Sequence, residues 1–127
     1  MSGTLLVGLG GFLGAIARYE LGAAVTHATG LVRFPIGTFA VNLVGCLAIG
    51  LLAGVVARYH VLGTEARLFL FTGLLGGFTT FSAFGLESVE LLRRGELAVA
   101  GLYAGGSVVA GLAAVWLGLK LIELIPH

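Results

Sequence analysis

Apolar residues run almost unbroken along this chain, interrupted by short, widely spaced clusters of charge. His27 and Arg33 form the first cluster, Arg58 and His60 the second, Arg93 and Arg94 the third. The stretches between them suit a bilayer, whose hydrocarbon core of roughly 30 Å takes about 20 apolar residues in a helix. Four spans are expected, at residues 4–24, 35–56, 64–92 and 96–124. Local signals bound them. Pro35 suits a first helical turn, Thr64 and Glu65 an N-terminal cap and dipole partner, and Gly95 a C-terminal stop. The connections are too short for an extramembrane domain. The pattern predicts an all-α membrane protein, one four-helix unit over residues 1–127 without repeats or linkers.

Composition strengthens that choice of solvent. Charged residues make up 10% of the chain, against about 25% in soluble domains, and the mean hydropathy is +1.09. A net charge of +1 carries no nucleic-acid footprint. The single cysteine, Cys46, excludes an intrachain disulfide and a cysteine-rich metal site. No Lys or Arg precedes Arg18, so the basic region of a cleavable signal peptide is missing and the first span reads as permanent. His27, His60 and His127 are scattered, and no nucleophile–base pair appears. "GLGGFLG" has nucleotide-loop glycines but follows no strand. The pattern argues against an enzyme.

Charge placement raises the question of orientation. With four spans, Arg58, Arg67 and Lys120 fall on the side of the termini, and Arg18, Arg33, Arg93 and Arg94 on the other. Short-loop Lys/Arg bias normally sets topology, and here it is nearly absent. Either one arginine decides, or the chain inserts both ways and permits an antiparallel dimer. Four helices leave little room for a water-lined path, which favours the dimer. The 22 glycines include close-packing pairs at Gly10 and Gly14, Gly50 and Gly54, and Gly101 and Gly105; generic packing accounts for most of them.

Three polar sets lie at membrane depth, where polar groups mark bundle interiors or pathways. Thr38 and Asn42 share a face of the second span, and Tyr103, Ser107 and Gly111 a face of the fourth. The third set is "GGFTTFSAFG", residues 76–85. An interhelical hydrogen bond accounts equally well for Asn42, and a bond back to its own helix for Ser107. There is no Asp, and Glu20, Glu87 and Glu90 lie toward span ends, which disfavours a cation path or proton relay. Amide, hydroxyl and phenol donors beside positive ring edges suit a small, strongly hydrated anion. Gly76, Gly77, Thr79 and Thr80 are poor mid-helix residues. A break there would free carbonyls of the kind that hold Na⁺ at half-helix ends; an intact helix with a glycine-rich packing face is the alternative.

The motifs "GGFLGAIARY" (10–19), "GTFAVNLVG" (37–45), "GGFTTFSAF" (76–84) with Glu87, and "YAGGS" (103–107) resemble the CrcB/Fluc fluoride channel family over essentially the whole chain. The resemblance implies an antiparallel dual-topology homodimer in the cell inner (plasma) membrane, with two oppositely directed pores that passively export fluoride. It implies fluoride-pore roles for Asn42, Phe81, Phe84, Tyr103 and Ser107, with Thr38 in support. It also implies one structural Na⁺ held by the backbone carbonyls of Gly76 and Thr79 from both subunits. Arg18 matches a vestibule or orienting charge, Glu87 an acidic position of unassigned role, and Phe78 becomes packing. Ala83, Gly85 and Gly111 depart from the hydroxyl residues common in the family. The alternatives are a small multidrug resistance-type proton-coupled exporter, which needs a deep glutamate where only Glu20 is on offer, and a non-transporting membrane scaffold.

Overall fold

The computed structural model describes residues 2–126, and every regular element in it is helical. Helix α1 covers Gly3–Thr29 and α2 covers Ile36–Tyr59. Next comes α3, residues 64–78, made of α-helical Thr64–Arg67, π-helical Leu68–Leu75 and α-helical Gly76–Phe78. α4 covers Phe81–Arg93 and α5 covers Leu97–Glu123. Counted with α3 and α4 as one crossing, four helices are long and apolar enough to span a membrane.

The ends follow local chemistry. α1 runs on past Ala24 to Thr29, where Gly30 turns left-handed (φ 66°) and its N–H closes on Thr26 O at 2.9 Å. α4 stops at Gly95 (φ 78°), with Gly95 N–H on Leu92 O at 3.0 Å and Glu96 N–H on Leu91 O at 2.9 Å. That pair of bonds satisfies the last helical carbonyls. Gly63, rather than Thr64, occupies the N-cap of α3, with no side-chain capping bond. Arg58, at the end of α2, donates to the carbonyls of Ile122, Glu123 and Ile125 and so ties down the end of α5. A cation also suits the negative end of a helix dipole.

α1 lies on α3, and α2 lies on α5. Both contacts depend on missing side chains. A Cβ on Gly77 would lie 2.6 Å from the Gly11 carbonyl, and one on Gly118 2.6 Å from Leu51 N. Gly10, Gly14 and Gly50 likewise face main-chain atoms of the opposite helix, and Gly54 faces Ile122, whereas Gly101 and Gly105 have nothing within 4 Å. An aromatic core joins the loop before α2, α2 itself, α4 and α5. Tyr103 and Leu91 are fully buried with Ala100. The Tyr103 ring packs 5.4 Å from Phe34 and 5.2 Å from Phe84, and Phe39 joins them through Phe34. Elsewhere large apolar side chains such as Phe12, Tyr19 and Val109 cover the outside, an arrangement that lipid tolerates and water penalises.

Candidate functional site

Two residues separate α3 from α4, and both are extended: Thr79 at φ −86°, ψ 156° and Thr80 at φ −146°, ψ 121°. In an uninterrupted helix Thr80 N–H would bond to Gly76 O. Here it donates to Asn42 Oδ1 at 2.8 Å, and Asn42 Nδ2 donates back to Thr80 O at 3.0 Å. The interhelical bond considered for Asn42 is therefore present, in duplicate. The Thr80 hydroxyl accepts Ala83 N–H at 3.2 Å and caps α4. Gly77 O, which Phe81 N–H would hold in a continuous helix, accepts Arg18 Nε at 3.1 Å. Thr79 sends both N–H and Oγ1 to Leu75 O, each at 3.0 Å. Among the described residues no hydrogen bond reaches the Gly76 or Thr79 carbonyl across this step.

A cavity of about 380 Å³ opens against the step, and Asn42, Gly76, Thr79, Thr80, Phe81, Phe84 and Ser107 line it with apolar neighbours. No charged side chain contributes to its wall. The Phe81 and Phe84 rings lie 5.6 Å apart, tilted by 44°, and Phe81 is 82% exposed in the single chain. Ser107 Oγ is shielded from solvent and has no hydrogen-bond partner among the described residues, so the bond back to its own helix is not made.

A second cavity of about 690 Å³ is lined by Arg18, His27, Thr38 and Glu87, and it shares Thr80 with the first. The Asn42–Thr80 pairing thus stands between the two. Glu87 collects the remaining polar groups: Thr38 Oγ1 donates to its Oε2 at 3.0 Å and Tyr103 OH to its Oε1 at 3.1 Å. Of the residues expected at the pore, the ion site and the vestibule, the structure gathers Asn42, Phe81, Phe84 and Ser107 in the first cavity, with Gly76 and Thr79. It places Thr38 and Arg18 on the second. Tyr103 lines neither; its ring is enclosed by Phe34 and Phe84.

Two residues named in the sequence without a binding partner acquire one here. Glu87 is the acceptor that unites Thr38 and Tyr103, and a carboxylate in an apolar segment demands such donors. Thr80 is the backbone partner of Asn42; the signal for it was a threonine standing just ahead of a new helical run.

A family model described as "CrcB-like protein, Camphor Resistance (CrcB)" matches residues 5–119, nearly all of this architecture. The chain belongs to the CrcB family. Relatives within reach of it carry the name "Fluoride-specific ion channel FluC". One from Hyphomonas neptunium is 54% identical over 127 residues, covering 98% of each chain. Another, from Novosphingobium aromaticivorans, is 49% identical and covers 97% of this chain and 98% of its own. A third, from Methylobacillus flagellatus, is 48% identical over 120 residues, 94% of both chains. The CrcB match thus spans all four crossings and both cavities.

Proposed function

We propose that this protein is a fluoride-selective passive channel, not an enzyme, that lets fluoride leave the cytoplasm and so lowers its toxicity. The observation that carries the proposal is the uncharged cavity at residues 79–80. There an amide (Asn42), an unpartnered hydroxyl (Ser107) and two phenylalanine rings converge without a carboxylate or fixed cation in the wall. Fluoride is small and strongly hydrated, so leaving water requires short, directional donors. Asn42 N–H and Ser107 O–H supply them, and the rings of Phe81 and Phe84 add positive edges. Chloride, larger and a weaker acceptor, gains less from the same donors. The names of the FluC relatives agree with this reading.

Nothing in the cavity serves proton coupling. Glu20, which a small multidrug resistance-type exporter would need, is exposed and lines neither cavity. Thr38, Tyr103 and Glu87 form a hydrogen-bonded support behind Phe84, and Arg18 stands at the vestibule side.

In this reading the extended step is a helix break, and two chains pair antiparallel in the cell inner membrane, giving two opposed pores. The near-even split of Lys and Arg supports two orientations, and the exposure of Phe81 supports a facing partner. The Gly76 and Thr79 carbonyls fit a structural Na⁺: they end α3 at its negative dipole end and receive no hydrogen bond across the step. Both subunits would contribute them, and the ion would supply charge compensation for the exposed oxygens.

Liposomes containing the full-length protein are expected to pass fluoride and exclude chloride, with Phe81→Ile or Asn42→Asp suppressing the flux. Equal chloride permeation, or fluoride efflux that needs a proton gradient, would overturn the channel. Reporter fusions at the C-terminus should show signal on both sides; a strict single orientation sinks the antiparallel pair.

A further inference from the structure

Asn42 is the only asparagine in the chain, and no glutamine accompanies it. Its carboxamide is occupied in an unusual way. Both bonds go to one residue, in opposite directions: Thr80 N–H to Oδ1 at 2.8 Å, and Nδ2 to Thr80 O at 3.0 Å. The reversed amide would set Nδ2 against the Thr80 N–H and Oδ1 against its carbonyl, two repulsive contacts, so chemistry permits one orientation only. Two antiparallel bonds also fix the amide plane, as paired peptides do in a sheet. A second contact lies one turn further along α2. A Cβ on Gly45 would overlap Thr79 Cγ2, so the Thr79 methyl seats directly on the bare backbone of α2 at Gly45. α2 therefore grips the extended step at Thr79 by shape and at Thr80 by hydrogen bonding.

We infer that Asn42 is a positioning residue: its pairing with the Thr80 peptide takes the place of the helical bond from Thr80 to Gly76 and holds the 79–80 step extended. The consequence for Gly76 is direct, since the donor that would cover its carbonyl is held by Asn42. The consequence for Phe81 and Phe84 follows, because the start of α4 is set by Thr80. One Nδ2–H is spent on Thr80 O. Only the second is left for the cavity that Asn42 lines, and its direction is fixed by the pairing. The use of that second N–H by an anion rests on the fluoride reading; the pairing does not.

The test uses the full-length protein, ¹⁵N-labelled and reconstituted in nanodiscs. The sole carboxamide gives a single pair of NH₂ proton signals. Fluoride titration, with chloride as control, is expected to shift one of the pair and leave the other in place, while the Thr80 amide stays protected from exchange. Both protons shifting alike, or a Thr80 amide that exchanges like an exposed loop, overturns the pairing. If neither proton responds to fluoride while Thr80 stays protected, the pairing stands and the fluoride reading fails. Asn42→Ala should speed Thr80 exchange by about tenfold or more, the loss expected from removing one buried hydrogen bond. Asn42→Asp keeps an acceptor for Thr80 N–H but sets a second oxygen against the Thr80 carbonyl, so its Thr80 amide should exchange faster than in the wild type and more slowly than in Asn42→Ala. Amides of α5 report that both variants keep the fold, and an Asn42→Ala protein with unchanged Thr80 exchange overturns the inference.

Discussion

Gly14→Ala tests whether α1 and α3 meet backbone to backbone. A methyl group at Gly14 would land on the Leu74 carbonyl oxygen and come within 2.8 Å of Phe78 N. Both are main-chain atoms of a helix, so neither swings aside as the tip of a side chain would. Alanine gains up to about 1 kcal/mol over glycine in a helix interior. Overpacking costs about 1–3 kcal/mol, and a collision with backbone belongs at the upper end. The net loss is then about 1–2 kcal/mol, or several degrees in unfolding midpoint for a chain of this size. Gly8→Ala supplies the control within the same helix: nothing lies within 4 Å of its Cβ, so only the gain remains. Thermal unfolding of the purified protein in detergent should move the two variants in opposite directions. The displaced atoms lead into the 79–80 step, so Gly14→Ala should also slow fluoride efflux while Gly8→Ala does not. A Gly14→Ala protein as stable as the wild type would refute the packing argument.

Leu62 holds φ at 72°, a left-handed conformation that costs a bulky residue about 1–2 kcal/mol; Leu62→Gly should raise the unfolding midpoint by about 1 kcal/mol equivalent. Tyr103→Phe keeps the ring between Phe34 and Phe84 but removes a donor to Glu87. Stability should fall by about 1–2 kcal/mol, with fluoride efflux kept within a few-fold; efflux as low as in Asn42→Asp would put Tyr103 on the path. Replacing Na⁺ by N-methylglucamine throughout purification should lower the unfolding midpoint if the Gly76 and Thr79 carbonyls hold the ion, and an unchanged midpoint argues against that site.

The four apolar crossings were legible because lipid imposes a length and composition on any helix that spans it, and this chain meets both four times. Gly95 was legible as a stop because a left-handed C′ position selects glycine. The unusual chemistry of residues 76–85 was visible too, since glycines and β-branched threonines sit poorly in a helix. Thr64 misled only as a cap: its type suits one, but Gly63 holds the cap position and Thr64 is the first helical residue.

The sequence by itself determined the solvent, the helical class, and the residues rich enough in chemistry to matter: Asn42, Phe81, Phe84, Ser107, Thr38 and Tyr103. Tertiary structure alone decided how they divide. Spacing by fours places Thr38 with Asn42, and Tyr103 with Ser107, on one face of their own helices. It carries no information on which neighbouring helix that face meets, or at what height. The packing of α4 against α2 and α5 brings Glu87 beside Thr38 and Tyr103, and brings Thr80 beside Asn42. A carboxylate draws off the first pair of hydroxyls, and the Thr80 peptide takes up the amide. What remains facing the uncharged cavity is one amide N–H, the Ser107 hydroxyl and two rings, a division set by interhelical contacts that no single helix encodes.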